Sequence, residues 1–170
     1  MNIYIDMDDV VADWAGFARE LLKKPDLDVS GEPLIKTEDW PTVAAQQRLY
    51  RDLKVKTGAK SLIAWLTWYK TANPGTELFF LTAVPHNNDA PYAFMDKVNW
   101  AQKHFPNIPV FFGPYSHDKY IHCSPGDILI DDRHSNCSEW RSAGGLAHEY
   151  RNWTDCKLWL KDNGFKIGND

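Results

Sequence analysis

Four carboxylates crowd a short stretch near the start of this 170-residue chain. Asp6, Asp8, Asp9 and Asp13 follow an apolar run in the sequence IYIDMDDVVADW, residues 3–14. In an extended chain, residues two apart project to the same side about 6.5 to 7 Å from each other, so Asp6 and Asp8 can flank one group of phosphoryl size. Clustered carboxylates repel each other unless a cation neutralises them. An all-oxygen ligand set with no histidine at metal-ligand spacing favours Mg²⁺.

Polar side chains also follow the other apolar runs of the sequence. Thr82 comes after the second run, Lys119 lies in the loop after the third, and the fourth is followed by Asp131, Asp132 and Arg133. Taken singly, each has an ordinary structural explanation, because an Asp after a strand is most often a turn former or a helix cap. Their joint order after successive strand-like runs instead predicts one site, at the edge where the carboxyl ends of the strands meet.

The apolar runs and the segments between them predict an α/β fold with a central parallel sheet. Strands buried on both faces are expected at Asn2 to Ile5, Glu77 to Leu81, Ile108 to Phe112 and Asp127 to Ile130, with a weaker fifth at Leu146 to Glu149. Helical spacing occurs at Val11 to Leu22, Ala59 to Ala72, Tyr92 to His104, Ser138 to Ala143 and Thr154 to Asn163. Residues 25–56 break the alternation and predict a small cap inserted within a single domain, residues 1–170.

The charge and cysteine content of the chain indicate which partners and which cellular compartment to expect. The formal net charge of -4 comes from 23 acidic and 19 basic residues mixed along the chain, so neither polymeric nucleic acid nor a membrane is expected as a partner. Cys123, Cys137 and Cys156 form an odd set without CxxC spacing, which predicts buried free thiols in a reducing compartment. We therefore expect a cytoplasmic protein, either a monomer or a homodimer.

The motifs quoted above resemble those of the haloacid dehalogenase superfamily. DMDDVVADW is similar to its first motif, FFLTA to its second, Lys119 to its third and DILIDDR to its fourth. Within the superfamily, the chain resembles the 5'(3')-deoxyribonucleotidases, which carry D-M-D-G-V-L-A-D-aromatic, and D-K followed about ten residues later by D-L-L-I-D-D-[RK]. PYAFMDKVNWAQKHF, residues 91–105, resembles the family's helix after the second motif. The resemblance covers most of residues 1–133 and implies a Rossmann-like three-layer fold with a small helical cap after the first strand-helix unit.

This chain departs from the family pattern at two positions. Asp9 stands where the family has Gly, and because Asp tolerates unusual backbone geometry better than most residues, the loop geometry can be retained. Ala83 stands where the family usually has Ser, which removes a hydroxyl donor to phosphate and leaves the backbone N–H.

The resemblance implies a Mg²⁺-dependent phosphatase that works through an aspartyl phosphate. Asp6 would attack phosphorus, and Asp8 would protonate the leaving oxygen and then take a proton from water. Thr82 and Lys119 would hold the phosphoryl oxygens. The ligands implied for Mg²⁺ are the carboxylates of Asp6 and Asp132 and the backbone carbonyl of Asp8. Asp131 would lie behind these ligands and orient them.

The resemblance also implies a small-molecule phosphate ester as substrate, and a (deoxy)ribonucleoside 5'-monophosphate in particular. Trp14 occupies the family's aromatic position, where a ring stacks on the base, and Trp40 in the cap is a candidate second wall, although core packing is the commoner role of a tryptophan. The backbone of Ala83 and the side chain of Arg133 complete the implied substrate-binding set. Two alternatives stay open: another ester such as a sugar phosphate, or a non-enzymatic phosphoacceptor signalling domain.

Overall fold

A computed structural model of the protein describes residues 1–25, 36–85 and 90–166. Its sheet contains β1 (Asn2–Ile5), β2 (Glu77–Thr82), β3 (Val110–Phe112), β4 (Ile128–Asp131) and β5 (Leu146–Glu149). All pairings are parallel, and the strand order is β3-β2-β1-β4-β5. Because β1 is central and pairs with both β2 and β4, the residues that follow these three strands meet at one edge of the sheet.

Helices connect the strands and confirm the predicted α/β fold class. They are α1 (Trp14–Leu22), α2 (Trp40–Ala44), α3 (Ala59–Ala72), α4 (Ala93–His104), α5 (His134–Ser142) and α6 (Trp153–Asp162). Among the residues that the structure describes, 3-10 helices lie at Leu49–Arg51 and Ser116–His122. Within the described residues, none of these helices combines the length and apolar character needed to cross a membrane.

The core has two parts because side chains alternate between the faces of the sheet. On one face, Ile3 and Ile5 pack in a large cluster with buried residues of α3, α4 and α6. On the other face, Tyr4 packs with residues that include Trp140 of α5. The three layers therefore hold β1 rigidly from both sides, just before the first carboxylate of the predicted site.

The expectation that every strand is buried on both faces is right for the centre of the sheet and wrong for its edges. All four residues of β4 are buried. In β3, by contrast, Phe111 is exposed and its two neighbours are half-buried, and only Ala147 of β5 is buried. Edge strands have one neighbour instead of two, so their apolar residues remain in contact with solvent.

Two helices, α1 and α5, begin well away from the predicted residues, whereas the starts of α4 and α6 differ only by one position. The prediction started the first helix at Val11, but α1 starts at Trp14 because Asp9 has a positive φ of 58° and the chain turns before Asp13 caps the helix. The Asp13 side chain accepts a hydrogen bond of 3.1 Å from the Gly16 amide. In the second case, α5 starts four residues earlier than predicted, because its first turn is polar and carries no apolar spacing signal.

The predicted cap, residues 25–56, is only partly described, since residues 26–35 lie outside the described ranges. The described part contains α2 and the 3-10 helix Leu49–Arg51, and its buried side chains belong to the main core. Trp100 of α4 donates a 2.7 Å hydrogen bond from Nε1 to the Leu53 carbonyl. Arg48 forms an ion pair with the buried Asp96 of the same helix. The inserted segment is thus fastened to α4, while its role as a cap stays a prediction.

The three cysteines have free thiols. Cys137 and Cys156 are buried as predicted, and burial raises the pKa of each thiol to about 12. Cys123 is half-buried, so the prediction of a buried thiol is wrong there. It lies beside the edge strand β5, where Gly145 leaves little room for a further side-chain atom.

Candidate active site

Three carboxylates meet where the central strands end. Asp6 directly follows β1, Asp131 is the last residue of β4, and Asp132 comes next. Asp6 and Asp131 are buried, and Asp132 is half-buried. One oxygen from each carboxylate lies within 4.8 Å of the others. The parallel pairing of β1 with β4 therefore brings together residues that are about 125 positions apart in the chain.

Lys119 is the cation of this cluster. Its side chain is 2% exposed, and its Nζ lies 2.8 Å from Asp6 Oδ1 and 2.7 Å from Asp131 Oδ2. Burial opposes the lysine charge, but the carboxylates of Asp131 and Asp6 outweigh that effect and raise the pKa of Lys119. The lysine therefore holds two of the three carboxylates in place as a charged group.

Asp131 is fixed from behind by neutral donors. Asn136 Nδ2 donates to both Asp131 oxygens at 3.0 Å, and the Arg133 amide donates to Oδ1 at 2.9 Å. The Ser116 hydroxyl in turn donates a hydrogen bond of 2.9 Å to the side-chain oxygen Oδ1 of Asn136. Such a network determines the orientation of a carboxylate that has no contact with solvent.

The cluster carries more negative charge than its lysine can neutralise. Burial raises the pKa of the Asp6 carboxyl to about 7 against the opposing charge of Lys119, and the neighbouring Asp131 and Asp8 add to the increase. Burial, followed by repulsion from Asp131 and Asp6, raises the pKa of Asp132 well above its ordinary value. A divalent cation bound by these oxygens would reverse both effects, so the donor set suits a hard cation.

A second group of side chains forms around Asp8, between β1 and β2. Lys97 of α4 places its Nζ 2.5 Å from Asp8 Oδ2 and 2.8 Å from the hydroxyl oxygen of Thr82, the last residue of β2. The lysine is 1% exposed, whereas the Asp8 side chain is 28% exposed. The Tyr50 ring, from the inserted segment, lies under the ammonium at 4.4 Å. In the described residues, the Asp8 carboxylate is thus paired with a lysine and does not join the three-carboxylate cluster.

Asp9 connects the same loop to the end of the inserted segment. Its left-handed backbone explains why the family has Gly here, and its Oδ1 accepts hydrogen bonds from the Ala15 amide at 2.9 Å and from Lys56 Nζ at 3.3 Å. Burial raises the pKa of the Asp9 carboxyl, while the Ala15 amide and Lys56 counteract the increase. The carboxylate therefore caps α1 and anchors the chain that returns from the insertion.

The substrate-binding residues implied by resemblance lie in different settings. Ala83 follows β2 and is half-buried, and Arg133 is exposed. Trp14 is 9% exposed and its ring is stacked with Phe17 at 5.7 Å and with Tyr50 at 5.5 Å between ring centroids. A base stacked on Trp14 thus has little open ring surface to contact. Trp40 is half-buried against the main core.

Sequence reasoning missed Lys97, Tyr50 and Asn136. A signal for Lys97 does exist, because the buried face of α4 includes Ala93, Lys97, Trp100 and Ala101 at helical spacing. Asp96 on the same face is paired with Arg48, so the buried lysine needs another partner, and a carboxylate at the adjacent strand end is the natural candidate. No comparable signal marks Tyr50 or Asn136, whose positions depend on how the insertion and α5 pack.

Residues 1–156 match the family described as "5' nucleotidase, deoxy (Pyrimidine), cytosolic type C protein". The chain belongs to this family. The protein is therefore a phosphoric monoester hydrolase of the 5'-nucleotidase type, which confirms the resemblance to the 5'(3')-deoxyribonucleotidases and sets aside a non-enzymatic signalling domain.

The fold of this nucleotidase also matches solved structures. One is described as "The crystal structure of a hydrolase from Streptococcus pneumoniae TIGR4", with a TM-score of 0.52 over 94% of this chain and 97% of that chain. The sequence identity is 15%, so the likeness concerns the fold alone. A search of curated proteins finds no significant match.

Proposed function

We propose that this nucleotidase hydrolyses (deoxy)ribonucleoside 5'-monophosphates with the help of Mg²⁺, through an aspartyl phosphate on Asp6. The observation that carries the proposal is the buried cluster of Asp6, Asp131 and Asp132, whose charge exceeds that of the one lysine bound to it. Its position beyond the carboxyl ends of β1 and β4 is the usual place for an active site in a parallel sheet.

The chemistry of the donor set fits Mg²⁺. Asp6 and Asp132 would supply carboxylate oxygens and Asp8 its backbone carbonyl, while Asp131 would hold the others in position. When bound, Mg²⁺ supplies a positive charge that favours the ionised carboxylates and draws in a phosphoryl oxygen. A pKa of about 7 for Asp6 in the metal-free protein means that the nucleophile becomes fully ionised near neutral pH only with this help.

The residues of the chain divide the reaction into two displacements. In the first, an Asp6 oxygen attacks phosphorus while the bond from phosphorus to the 5' oxygen breaks, and Asp8 gives that oxygen a proton. In the second, water attacks the phosphorus of the aspartyl phosphate, Asp8 takes the water proton, and the Asp6 carboxylate is released with phosphate. Asp6 and Asp8 are two positions apart, as this geometry requires.

The phosphoryl oxygens need donors that are already in place. The Lys119 ammonium has three N–H groups, and two of them can donate to Asp6 and Asp131. The third N–H group can then donate to a phosphoryl oxygen. The hydroxyl of Thr82, the last residue of β2, and the amide of Ala83, which follows it, would complete the set. Fixed donors of this kind stabilise the charge that a loose transition state spreads over the oxygens.

The nucleotide is proposed from the family description, which names deoxy substrates and a cytosolic type. We infer a cytoplasmic setting, a cap formed by residues 25–56, and a substrate wall that includes Trp14, Trp40 and Arg133. Arg133 is exposed and directly follows Asp131 and Asp132 in the chain. Burial, followed by the charge of Asp8, raises the pKa of Tyr50 well above its ordinary value, and the charge of Arg133 opposes this increase. An exposed cation beside the acidic cluster supports the proposal that Arg133 attracts an anionic ester.

A substrate panel tests the proposal. Deoxy- and ribonucleoside 5'-monophosphates, sugar phosphates and p-nitrophenyl phosphate would be assayed with Mg²⁺ and with EDTA. We expect a nucleotide to have the highest kcat/KM, with activity lost in EDTA and restored by Mg²⁺. Trp14→Ala tests the base contact separately. Loss of a ring that stacks on a base would weaken nucleotide binding by ~1 to 3 kcal/mol with little effect on p-nitrophenyl phosphate, whereas loss of a ring that only packs between Phe17 and Tyr50 would affect both substrates equally. A best substrate without a base would refute the nucleotide assignment and favour a general small-molecule phosphatase.

A further inference from the structure

Lys97 contacts two groups to which the proposed mechanism gives separate tasks. Its Nζ lies 2.5 Å from Asp8 Oδ2 and 2.8 Å from Thr82 Oγ1. The side chain projects from the second turn of α4, on the helix face whose Ala93, Trp100 and Ala101 pack in the apolar core. Burying a lysine ammonium is costly unless each N–H has a partner. A methionine or leucine could fill the same space, so packing alone does not explain a lysine here.

The surroundings of the ammonium leave it a single orientation. Two of its N–H groups point to Asp8 and Thr82, and the Tyr50 ring covers it at 4.4 Å from the ring centroid. Tyr50 is itself buried and stacked with Trp14. The lysine is thus a fixed charge, unlike a solvated lysine with free rotation about its four carbon-carbon bonds.

The direction of these hydrogen bonds has a chemical consequence. An ammonium only donates, so Thr82 Oγ1 must accept from Lys97 and its own hydroxyl hydrogen is left for an outside acceptor such as a phosphoryl oxygen. In the same way, the bond to Asp8 Oδ2 leaves Oδ1 as the oxygen that handles the transferred proton. One side chain therefore sets the roles of both groups.

We propose that Lys97 is a positioning residue for leaving-group protonation, holding Asp8 so that Oδ1 faces the ester oxygen and Thr82 so that its hydroxyl faces phosphate. This inference rests on the proposed function. It concerns the first displacement, in which the bond from phosphorus to the ester oxygen breaks and that oxygen receives the Asp8 proton. A residue that acts through Asp8 matters most when the leaving group needs a proton.

Two aryl esters of similar shape test this role. The leaving group of p-nitrophenyl phosphate is stable as an anion, whereas that of phenyl phosphate depends more on protonation. With saturating Mg²⁺, Lys97→Met should lower kcat on phenyl phosphate about 100-fold and kcat on p-nitrophenyl phosphate less than about 10-fold. KM should change less than kcat, since Lys97 acts on the bond-breaking step. Lys103→Met, an exposed lysine in the last turn of α4, is the matched control and should behave as wild type.

Chemical rescue provides a second measurement that does not depend on the folding of the Met variant. In Lys97→Ala, propylammonium should restore turnover of phenyl phosphate more than turnover of p-nitrophenyl phosphate. Equal losses on both esters in Lys97→Met, or equal rescue of both, would overturn the positioning role and indicate phosphate binding or packing. An unchanged kcat would overturn it as well. If the wild-type protein hydrolyses neither ester, the proposed function is wrong, and this inference, which rests on it, is wrong too.

Discussion

The candidate site has two halves, each with one buried lysine, and the halves differ in the negative charge that surrounds the lysine. Lys119 sits between two buried carboxylates of a cluster that contains a third, so negative charge is in excess around it. Lys97 meets one partly exposed carboxylate, a hydroxyl and the face of a ring, so its surroundings are balanced. The comparison suggests a division of labour. We propose that the half on β1 and β4 requires a cation and that the half on β1 and β2 handles a proton.

The largest effect is expected from Asp6, the nucleophile of the cation-requiring half. Asp6→Asn keeps the shape of the side chain but removes the attacking charge, so turnover of p-nitrophenyl phosphate should fall by about 10³-fold or more. Steady-state rates with saturating Mg²⁺ measure this. Asp162→Asn, at an exposed position at the end of α6, should keep wild-type rates. Turnover near wild type in Asp6→Asn would contradict the mechanism.

Removing each lysine in turn compares the two halves directly. Lys119→Met leaves two buried carboxylates without their cation, and we expect it to lower the free energy of unfolding by ~3 to 5 kcal/mol in chelator. Lys97→Met should cost only ~1 to 2 kcal/mol, because water can reach the partly exposed Asp8 carboxylate. Urea unfolding of both variants provides the values. Equal losses would show that the two halves do not differ in charge balance.

The excess charge predicts a pH dependence for the metal-free protein. The folded-state pKa of Asp6 is about 7 against an ordinary value of 3.8, and that of Asp132 is raised as well. Between these pH values the two carboxyl groups bind more protons in the folded state than in the unfolded state. Their contribution to the free energy of unfolding therefore falls as pH rises from about 4 to about 7. Since the proposed Mg²⁺ site consists of ionised carboxylates, the stabilising effect of Mg²⁺ should grow over the same range.

Thermal unfolding with Mg²⁺ or with NaCl of equal ionic strength, at pH 5 and pH 8, measures this effect. We expect Mg²⁺ to stabilise the protein by ~2 to 3 kcal/mol at pH 8 when its concentration is about 100-fold above Kd, and by much less at pH 5. In Asp132→Asn the difference between the two pH values should shrink, whereas Asp162→Asn should keep it. Stabilisation that does not depend on pH would mean that the cation binds elsewhere.

The smallest effect concerns the loop that both halves share. Asp9 combines a left-handed backbone with a carboxylate that binds the Ala15 amide and Lys56. Asp9→Gly and Asp9→Ala both lose the carboxylate, but only Gly adopts this backbone without strain. Asp9→Gly should therefore be more stable than Asp9→Ala by ~1 kcal/mol in urea unfolding. If the two variants are equally stable, the positive φ of Asp9 carries no strain.

The sequence predicted best those site residues whose positions are determined by the ends of the central strands. Asp6, Thr82 and Asp131 lie at or directly after central strands, and a parallel sheet brings such residues to one edge whatever the loops do. The fold class followed from the same alternation of strands and helices. The solvent exposure of the edge strands was harder to predict, because the sequence of β3 does not show whether a further strand pairs with it.

The proton-handling half was harder to predict, for a physical reason. Lys97 and Tyr50 reach Asp8 only because α4 and the inserted segment pack against each other, through contacts such as the Trp100 bond to the Leu53 carbonyl. These contacts join residues 47 to 89 positions apart and leave no local motif. The apolar face of α4 could have indicated that Lys97 is buried, but not which carboxylate it would meet.

The identity of the residue that carries the phosphoryl group is the most direct test of the account. During turnover of a nucleoside 5'-monophosphate with Mg²⁺, the protein would be quenched in acid, reduced with borohydride, digested and analysed by mass spectrometry. An acyl phosphate on Asp6 is reduced to an alcohol, so we predict this product at position 6 in the wild-type protein and its absence from Asp6→Asn. Reduction at Asp8 or another carboxylate, with Asp6 unmodified, would contradict it.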